Sequence, residues 1–285
     1  MLLIVGTIVV LISVFGGFVL SHGKLAALWM PFELMIIGGA AFGAFLISTP
    51  LRTVKAAFGS CISVLKGPIY KKDDYISILM LLYELLNKAR KDGLMSLEEH
   101  VEAPASSPIF QQYPKVLGDH HLLDFITDCL RLMVGGSMDP HQLEPLLELE
   151  LETHHHDAEA PAHALQKIAD GLPGFGIVAA VLGIVTTMAS IGDGDVGTIG
   201  AHVAGALVGT FLGILLAYGF VGPTADAIAS RAREDAKAYE CVKMALMASM
   251  HGYNPTVAIE FARKSLGSHI RPAFADLETK LKEKK

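Results

Sequence analysis

The chain has 285 residues, 52% hydrophobic and 18% charged, with mean hydropathy +0.45 and a formal net charge of −6. It is too apolar for an ordinary soluble chain, about 25% of which is charged, and it carries no long basic run of the kind that binds nucleic acid. Three isolated cysteines, Cys61, Cys129 and Cys241, show neither CxxC nor zinc spacing, so reduced thiols are expected rather than a disulfide framework.

In chain order, the first element is an uncharged run from Leu2 to Leu20. About 20 apolar residues cross a bilayer core. The run lacks a basic leader and an A-x-A cleavage site, so it reads as a span rather than a signal peptide. A second span covers about 28–47 and is interrupted only by Glu33. Residues 1–50 thus form one pair of membrane helices.

Residues 51–170 read as a helical segment. Ile76, Leu79, Met80, Tyr83, Leu85 and Leu86 lay a broad apolar face along a helix over 73–92, with Gly93 as its stop. Ser96 and Glu99 match a capping box that opens a short helix. Gly118-Asp119 precedes a helix with Leu122, Leu123, Phe125, Ile126, Leu130 and Met133 in its core, ended by Gly135-Gly136. A further helix from Asp139 carries Leu143, Leu146, Leu147 and Leu151 towards the third span. His154, His155, His156 and Asp157 lie near Glu152, but ligand types without a geometry are weak evidence, and no metal is expected.

The third and fourth spans, about 172–191 and 199–221, fill residues 171–222. In the fourth, Ala201, Gly205, Gly209, Gly213 and Ala217 recur every four residues; the third repeats the theme with Gly176, Ala180, Gly183 and Thr187. Small faces let helix backbones approach closely in lipid, and bundle packing alone accounts for such faces. Residues 223–285 read as one long helix to about His251, a turn over 252–255 and a short helix.

Orientation follows from the positive charges. Of 23 Lys and Arg residues, 11 lie in 51–170 and 11 in 223–285; only Lys24 lies elsewhere. Cytoplasmic segments collect these residues, so both large segments and both termini are expected in the cytoplasm. The fold class is therefore an all-α membrane protein. Four transmembrane helices carry a helical cytoplasmic domain made from the loop between helices 2 and 3 and the C-terminal tail.

An absence is equally informative. Helices that move ions normally bury an ionisable group. Here Glu33 and His202 lie near span ends, and no Asp, Lys or Arg lies within a span. If the protein conducts ions, the mid-membrane carrier comes from a partner, which the small faces of spans three and four would receive. No P-loop, dinucleotide fingerprint or nucleophile triad is present, so neither an enzyme nor a catalytic residue nor a cofactor is expected.

Four stretches together resemble the MotA family of flagellar motor stator subunits, over nearly the whole chain: FGGFVLSHGKLAALWMPFELMIIGGA, ARKDGLMSLE, LPGFGIVAAVLGIV and GALVGTFLGILLAYGFVGP. The family is similar in plan to the ExbB and TolQ group. The resemblance implies a subunit in the bacterial inner membrane, several copies of it, five by the family plan, surrounding the single transmembrane helices of a MotB dimer. MotB supplies the ion-binding Asp, and the cytoplasmic face pushes the rotor protein FliG. It assigns rotor contact to Arg90 and Glu98, and coupling of pore to cytoplasmic domain to Pro173 and Pro223, both expected at helix boundaries. Ala180, Thr210 and Thr187 would line the ion path, with Gly176, Gly183, Gly205, Gly209 and Gly213 packing the helices. Sodium-driven relatives tend to carry threonine where Ala180 stands, so proton drive is expected. The alternatives are a sodium-driven stator subunit and an ExbB- or TolQ-like energiser; the latter usually has three spans and an outside N-terminus.

Overall fold

The structure, a computed structural model, describes residues 2–136, 139–189 and 196–283. Residues 190–195, with the end of the expected third span and most of the following link, lie outside these. The described residues hold helices and turns and no strand.

The first span joins α1 (Leu2–Leu11) through a π-helical turn (Ile12–Gly16) to α2 (Gly17–Leu20). A 3₁₀ turn, Leu25–Leu28, leads to α3 (Pro31–Ser48), the second span. Pro31 opens α3, where its missing N–H costs no hydrogen bond. Extended backbone at Thr49 and Pro50 ends it, and α4 (Leu51–Ser63) follows. Next come α5 (Lys72–Asp92), α6 (Glu98–Glu102), α7 (Pro114–Leu117) and α8 (His120–Val134). The last six elements are α9 (Pro140–Ala189), α10 (Val196–Leu216), a π-helical turn (Ala217–Val221), α11 (Gly222–Met250), α12 (Pro255–Ser265) and α13 (Phe274–Glu283). Among the described residues, four helical stretches are long and apolar enough to cross a membrane: Leu2–Leu20, Leu25–Ser48, Pro140–Met188 and His202–Met250.

Packing divides the chain into two compact units, Met1–Gly67 with Asp157–Ala232, and Pro68–His156 with Arg233–Lys285. These divisions differ from those at 50, 170 and 222 that composition suggests. Hydropathy marks where the apolar spans end, whereas packing assigns α4 and the adjoining ends of α9 and α11 to the membrane unit.

In the second unit, α5 is buried along most of its length, and Ile78, Leu79, Leu81, Leu82 and Leu85 are fully enclosed. They pack with Leu122, Phe125 and Ile126 of α8, Leu143 and Leu147 of α9, and Val242, Ala245 and Leu246 of α11. Burial of such side chains contributes roughly 1.5–3 kcal/mol each, which explains why polar-capped helices too short to persist alone are held here. The caps are specific. Asp119 accepts from the Leu122 amide at 3.2 Å, and Asn254 from the Val257 amide at 2.9 Å. The expected capping box at Ser96 does not form. Its hydroxyl donates to the Gly93 carbonyl at 2.6 Å, because residues 94–97 tighten into a 3₁₀ turn. Asp74 instead accepts from the Lys71 amide at 2.8 Å, at the start of α5.

Candidate ion path and charged loop

In the membrane unit, α9 and α10 meet along glycine. A β-carbon on Gly213 would lie 2.7 Å from the Leu172 carbonyl oxygen and 3.0 Å from the Gly176 Cα. One on Gly176 would lie 3.0 Å from the Gly209 carbonyl oxygen and 3.3 Å from the Thr210 Cα. One on Gly183 would lie 3.2 Å from the Ala206 methyl. The backbones therefore touch with no side chain between them, the geometry in which dispersion can hold helices together in lipid.

Part of the α10 stripe also meets α3. A β-carbon on Gly205 would stand 3.2 Å from Glu33 Oε1, and one on Gly209 3.6 Å from Glu33 Cγ. The sequence does not show this seating of the Glu33 chain on the stripe; its one signal is that Glu33 is the only acid inside the four apolar spans. The first helix also makes a close approach, with Val10 Cγ1 3.2 Å from a β-carbon on Gly219. His202 Nδ1 is buried and without a hydrogen-bond partner among the described residues.

Gly176, Gly183, Gly205, Gly209 and Gly213 thus do not stand open for a partner helix; the chain's own α9, α10, Met30 and Glu33 meet them. In its membrane half α9 leaves exposed mostly aliphatic side chains, Ile177, Val178, Val181, Leu182, Ile184, Val185 and Met188, with Thr186 among them. On α10 the exposed large side chains are Val203, Leu207 and Ile214, and Tyr218 is exposed in the π-helical turn that follows.

Ala180 and Thr210 each border the glycine contact: a β-carbon on Gly209 would lie 3.6 Å from the Ala180 amide nitrogen, and one on Gly176 3.3 Å from the Thr210 Cα. Both are half-buried. Thr7, Thr186, Thr187 and Thr224 each return the hydroxyl to a carbonyl four residues back, at 2.7–2.9 Å. Thr187 is fully buried, on the Gly183 carbonyl, two turns from Ala180.

Pro173 does not sit at a helix boundary. It lies inside the continuous α9, where its ring leaves the carbonyl four residues earlier without an amide donor. Pro173 directly follows Leu172, whose carbonyl makes the closest approach to Gly213. Pro223 is the second residue of α11, immediately after the π-helical turn Ala217–Val221. Such widened turns recur at functional sites, and here one precedes the residue that lacks an amide.

In the second unit, Arg90 occupies the last turn of α5 and Glu98 the first position of α6. Both are exposed, as are all residues from Lys91 to Met95. The turn between them is anchored by Leu97, fully buried, and by His100 and Val101. Nearby charges pair off, Lys88 with Asp92 at 3.4 Å and Arg131 with Glu102 at 2.9 Å. Arg90 and Glu98 make no ion pair among the described residues. Each is favoured by its helix dipole, by roughly 0.3–1 kcal/mol.

The histidine cluster disperses. His154 stacks on Tyr239 at 4.0 Å, and His155 Nε2 lies 3.9 Å from Glu240 Oε1. Asp157 pairs with Arg52 at 2.8 Å. Among the described residues no group of His, Cys, Asp or Glu is placed to hold a metal ion.

Membrane-length helices packed through glycine, with a charged helical segment between the second and third, define a multi-pass helical membrane protein. Family models agree: that for the motility protein A N-terminal region matches residues 4–93, and that for the MotA/TolQ/ExbB proton channel family matches residues 119–241. The chain belongs to the motility protein A family. It is 45% identical to motility protein A of Salmonella typhimurium, over 98% of this chain and 94% of the relative. Identity to motility protein A of Escherichia coli is 44%, with the same coverage. Chemotaxis protein LafT of Vibrio parahaemolyticus is 43% identical, over 98% of this chain and 97% of its own. The fold is similar to those of C. jejuni MotAB (TM-score 0.74, 20% identity, 93% and 95% of the two chains) and of the flagellar MotAB stator complex from Bacillus subtilis (TM-score 0.70, 20% identity, 99% and 98%). The family is one of channel subunits, not of enzymes.

Proposed function

We propose that this chain is the stator subunit of a bacterial flagellar motor. With MotB it forms a proton-conducting complex that turns ion flow into torque on the rotor protein FliG. The observation that carries the reading is the close glycine contact of two spans whose midsections hold no acid or base, with Ala180 and Thr210 each bordering that contact. A helix pair of this kind guides an ion but cannot carry its charge. The carrier is then a carboxylate on the partner, MotB in the relatives' complexes.

Five copies around a MotB dimer would place α9 and α10 inward, with both termini on the cytoplasmic side of the inner membrane. One charge falling through 100 mV releases about 2.3 kcal/mol, enough to drive a step between states a few kcal/mol apart. Pro173 and Pro223 would transmit that step from the ion path. Arg90 and Glu98, exposed and unpaired, would meet opposite charges on FliG. Ala180 adds no oxygen ligand where an alkali cation would need one, which favours protons.

Deleting the gene in a strain without another stator tests the reading. Cells should build flagella but stop swimming, and the wild-type chain should restore motility while R90E/E98K restores little at equal protein level. Unimpaired swimming of the deletion strain would refute it.

A further inference from the structure

The helix α4 is amphipathic in an unusual way. Its inner side, Val54 and Ala57, is buried against Phe45 and Ala164. Its outer side is also apolar: Leu51, Phe58 and Ile62, with Leu65 in the following turn, are 66%, 56%, 64% and 43% exposed. These residues recur at helical spacing along one stripe. Monomeric soluble surfaces rarely present such a row. Cations flank it. Lys55 lies one turn before Phe58 and Lys66 one turn after Ile62, both exposed, and neither makes an ion pair among the described residues. No Asp or Glu occurs between Glu33 and Asp73. Arg52 is held by Asp157, and Arg231 donates to the Ser63 carbonyl, so both ends of α4 are fastened to the membrane unit.

Beneath α4 lies a cavity of about 260 Å³, almost wholly apolar, lined by Phe42, Phe45, Phe58, Cys61, Leu165 and Leu172 among others. Phe58 belongs to both features: it borders the cavity and stands in the exposed stripe. Gly38 also lines it, and a β-carbon there would meet nothing within 4 Å.

We propose that α4 and this cavity form a seat for one anionic phospholipid. An acyl chain fills the cavity beside Phe58 and Cys61, and the headgroup phosphate is held by Lys55 and Lys66. The occupant follows from three facts together: the apolar stripe continues directly from a membrane span, the cavity admits hydrocarbon and offers no polar partner, and the adjoining cations have no protein anion. Basic residues beside an interfacial apolar face attract anionic headgroups. A zwitterionic lipid would bring a cation of its own towards the two lysines and bind less well.

The test uses the full chain in nanodiscs of phosphatidylcholine with or without phosphatidylglycerol, followed by native mass spectrometry. Phosphatidylglycerol should be retained through detergent washing and phosphatidylcholine lost. K55Q/K66Q should lower phosphatidylglycerol retention about thirtyfold, as expected for two lost headgroup cations, with an unchanged thermal midpoint. Gly38→Phe, which fills the cavity and keeps the cations, should lower it too. A photoreactive benzoylphenylalanine at Phe58 should form adducts with lipid. Equal retention of the two lipids, unchanged retention in K55Q/K66Q, or adducts between two copies of the chain would each overturn the proposal.

Discussion

Gly213 and Gly174 occupy α10 and α9 and are alike in a sequence reading, yet the structure separates them. At Gly213 a β-carbon would press 2.7 Å from a backbone oxygen, which cannot rotate away. At Gly174 it would meet nothing within 4 Å. Gly213→Ala should therefore destabilise the membrane unit by about 1–3 kcal/mol, the usual cost of overpacking, whereas Gly174→Ala should be neutral or slightly stabilising. Thermal unfolding in detergent distinguishes the two, and equal midpoints would discount the close contact. His100 allows a second prediction. Burial, aided by Lys88 and opposed by Glu99, holds its imidazole below the usual histidine range, while Nδ1 shares a 2.8 Å hydrogen bond with the Ser107 hydroxyl. The folded chain then binds fewer protons than the unfolded one just below the ordinary histidine pKa. Stability should fall as pH drops below about 6.5. His100→Gln should flatten that part of the pH profile of amide-exchange protection in α6; an unaltered slope would show that other groups carry it. The positions Ala180 and Thr210 are singled out by resemblance, but their places beside the glycine contact come from which turn of α9 meets which turn of α10.

Among the elements, α9 departs most from expectation. Composition places a helix boundary near Pro173, since proline lacks the amide that continues a helix. The structure runs one helix from Pro140 to Ala189 through Pro145, Pro161 and Pro173. Tertiary packing on both sides holds the helix despite the missing bonds, so local propensity loses to burial of Leu172 and Ala179. Pro173→Ala would restore the lost hydrogen bond and stiffen the helix beside its closest contact. Protein level should be normal and swimming should fall severalfold, read as swimming speed in a complemented deletion strain. Full speed would remove Pro173 from the coupling path. The second unit was more legible. Gly93, Asp119 and Gly136 mark helix ends whose chemistry is local, and Gly93 and Gly136 adopt positive φ, 86° and 61°, where a β-carbon is strained. The S-x-x-E pattern at Ser96 forms no capping box because a motif records residue types and not whether the turn beneath is α or 3₁₀.

For the whole molecule, the proposed ion path gives the remaining prediction. If Ala180 withholds the oxygen that a sodium ion would need, swimming should persist in sodium-free medium and collapse with a protonophore. Speed proportional to sodium concentration would reverse the choice of ion. The phospholipid seat also belongs to this scale, because the apolar row on α4 makes sense only with the bilayer as part of the solvent.

By itself the sequence determined the all-helical class, the four apolar spans, the charge asymmetry and the want of a mid-membrane acid. Each depends on side-chain chemistry summed over a segment, which needs no knowledge of neighbours. Only the tertiary structure decided what the glycine stripes face, that Glu33 lies along one of them, that Pro173 is inside a helix, and that the units divide by packing and not by hydropathy. Those outcomes depend on contacts between residues far apart in the chain, where a small residue signals that something comes close without saying what.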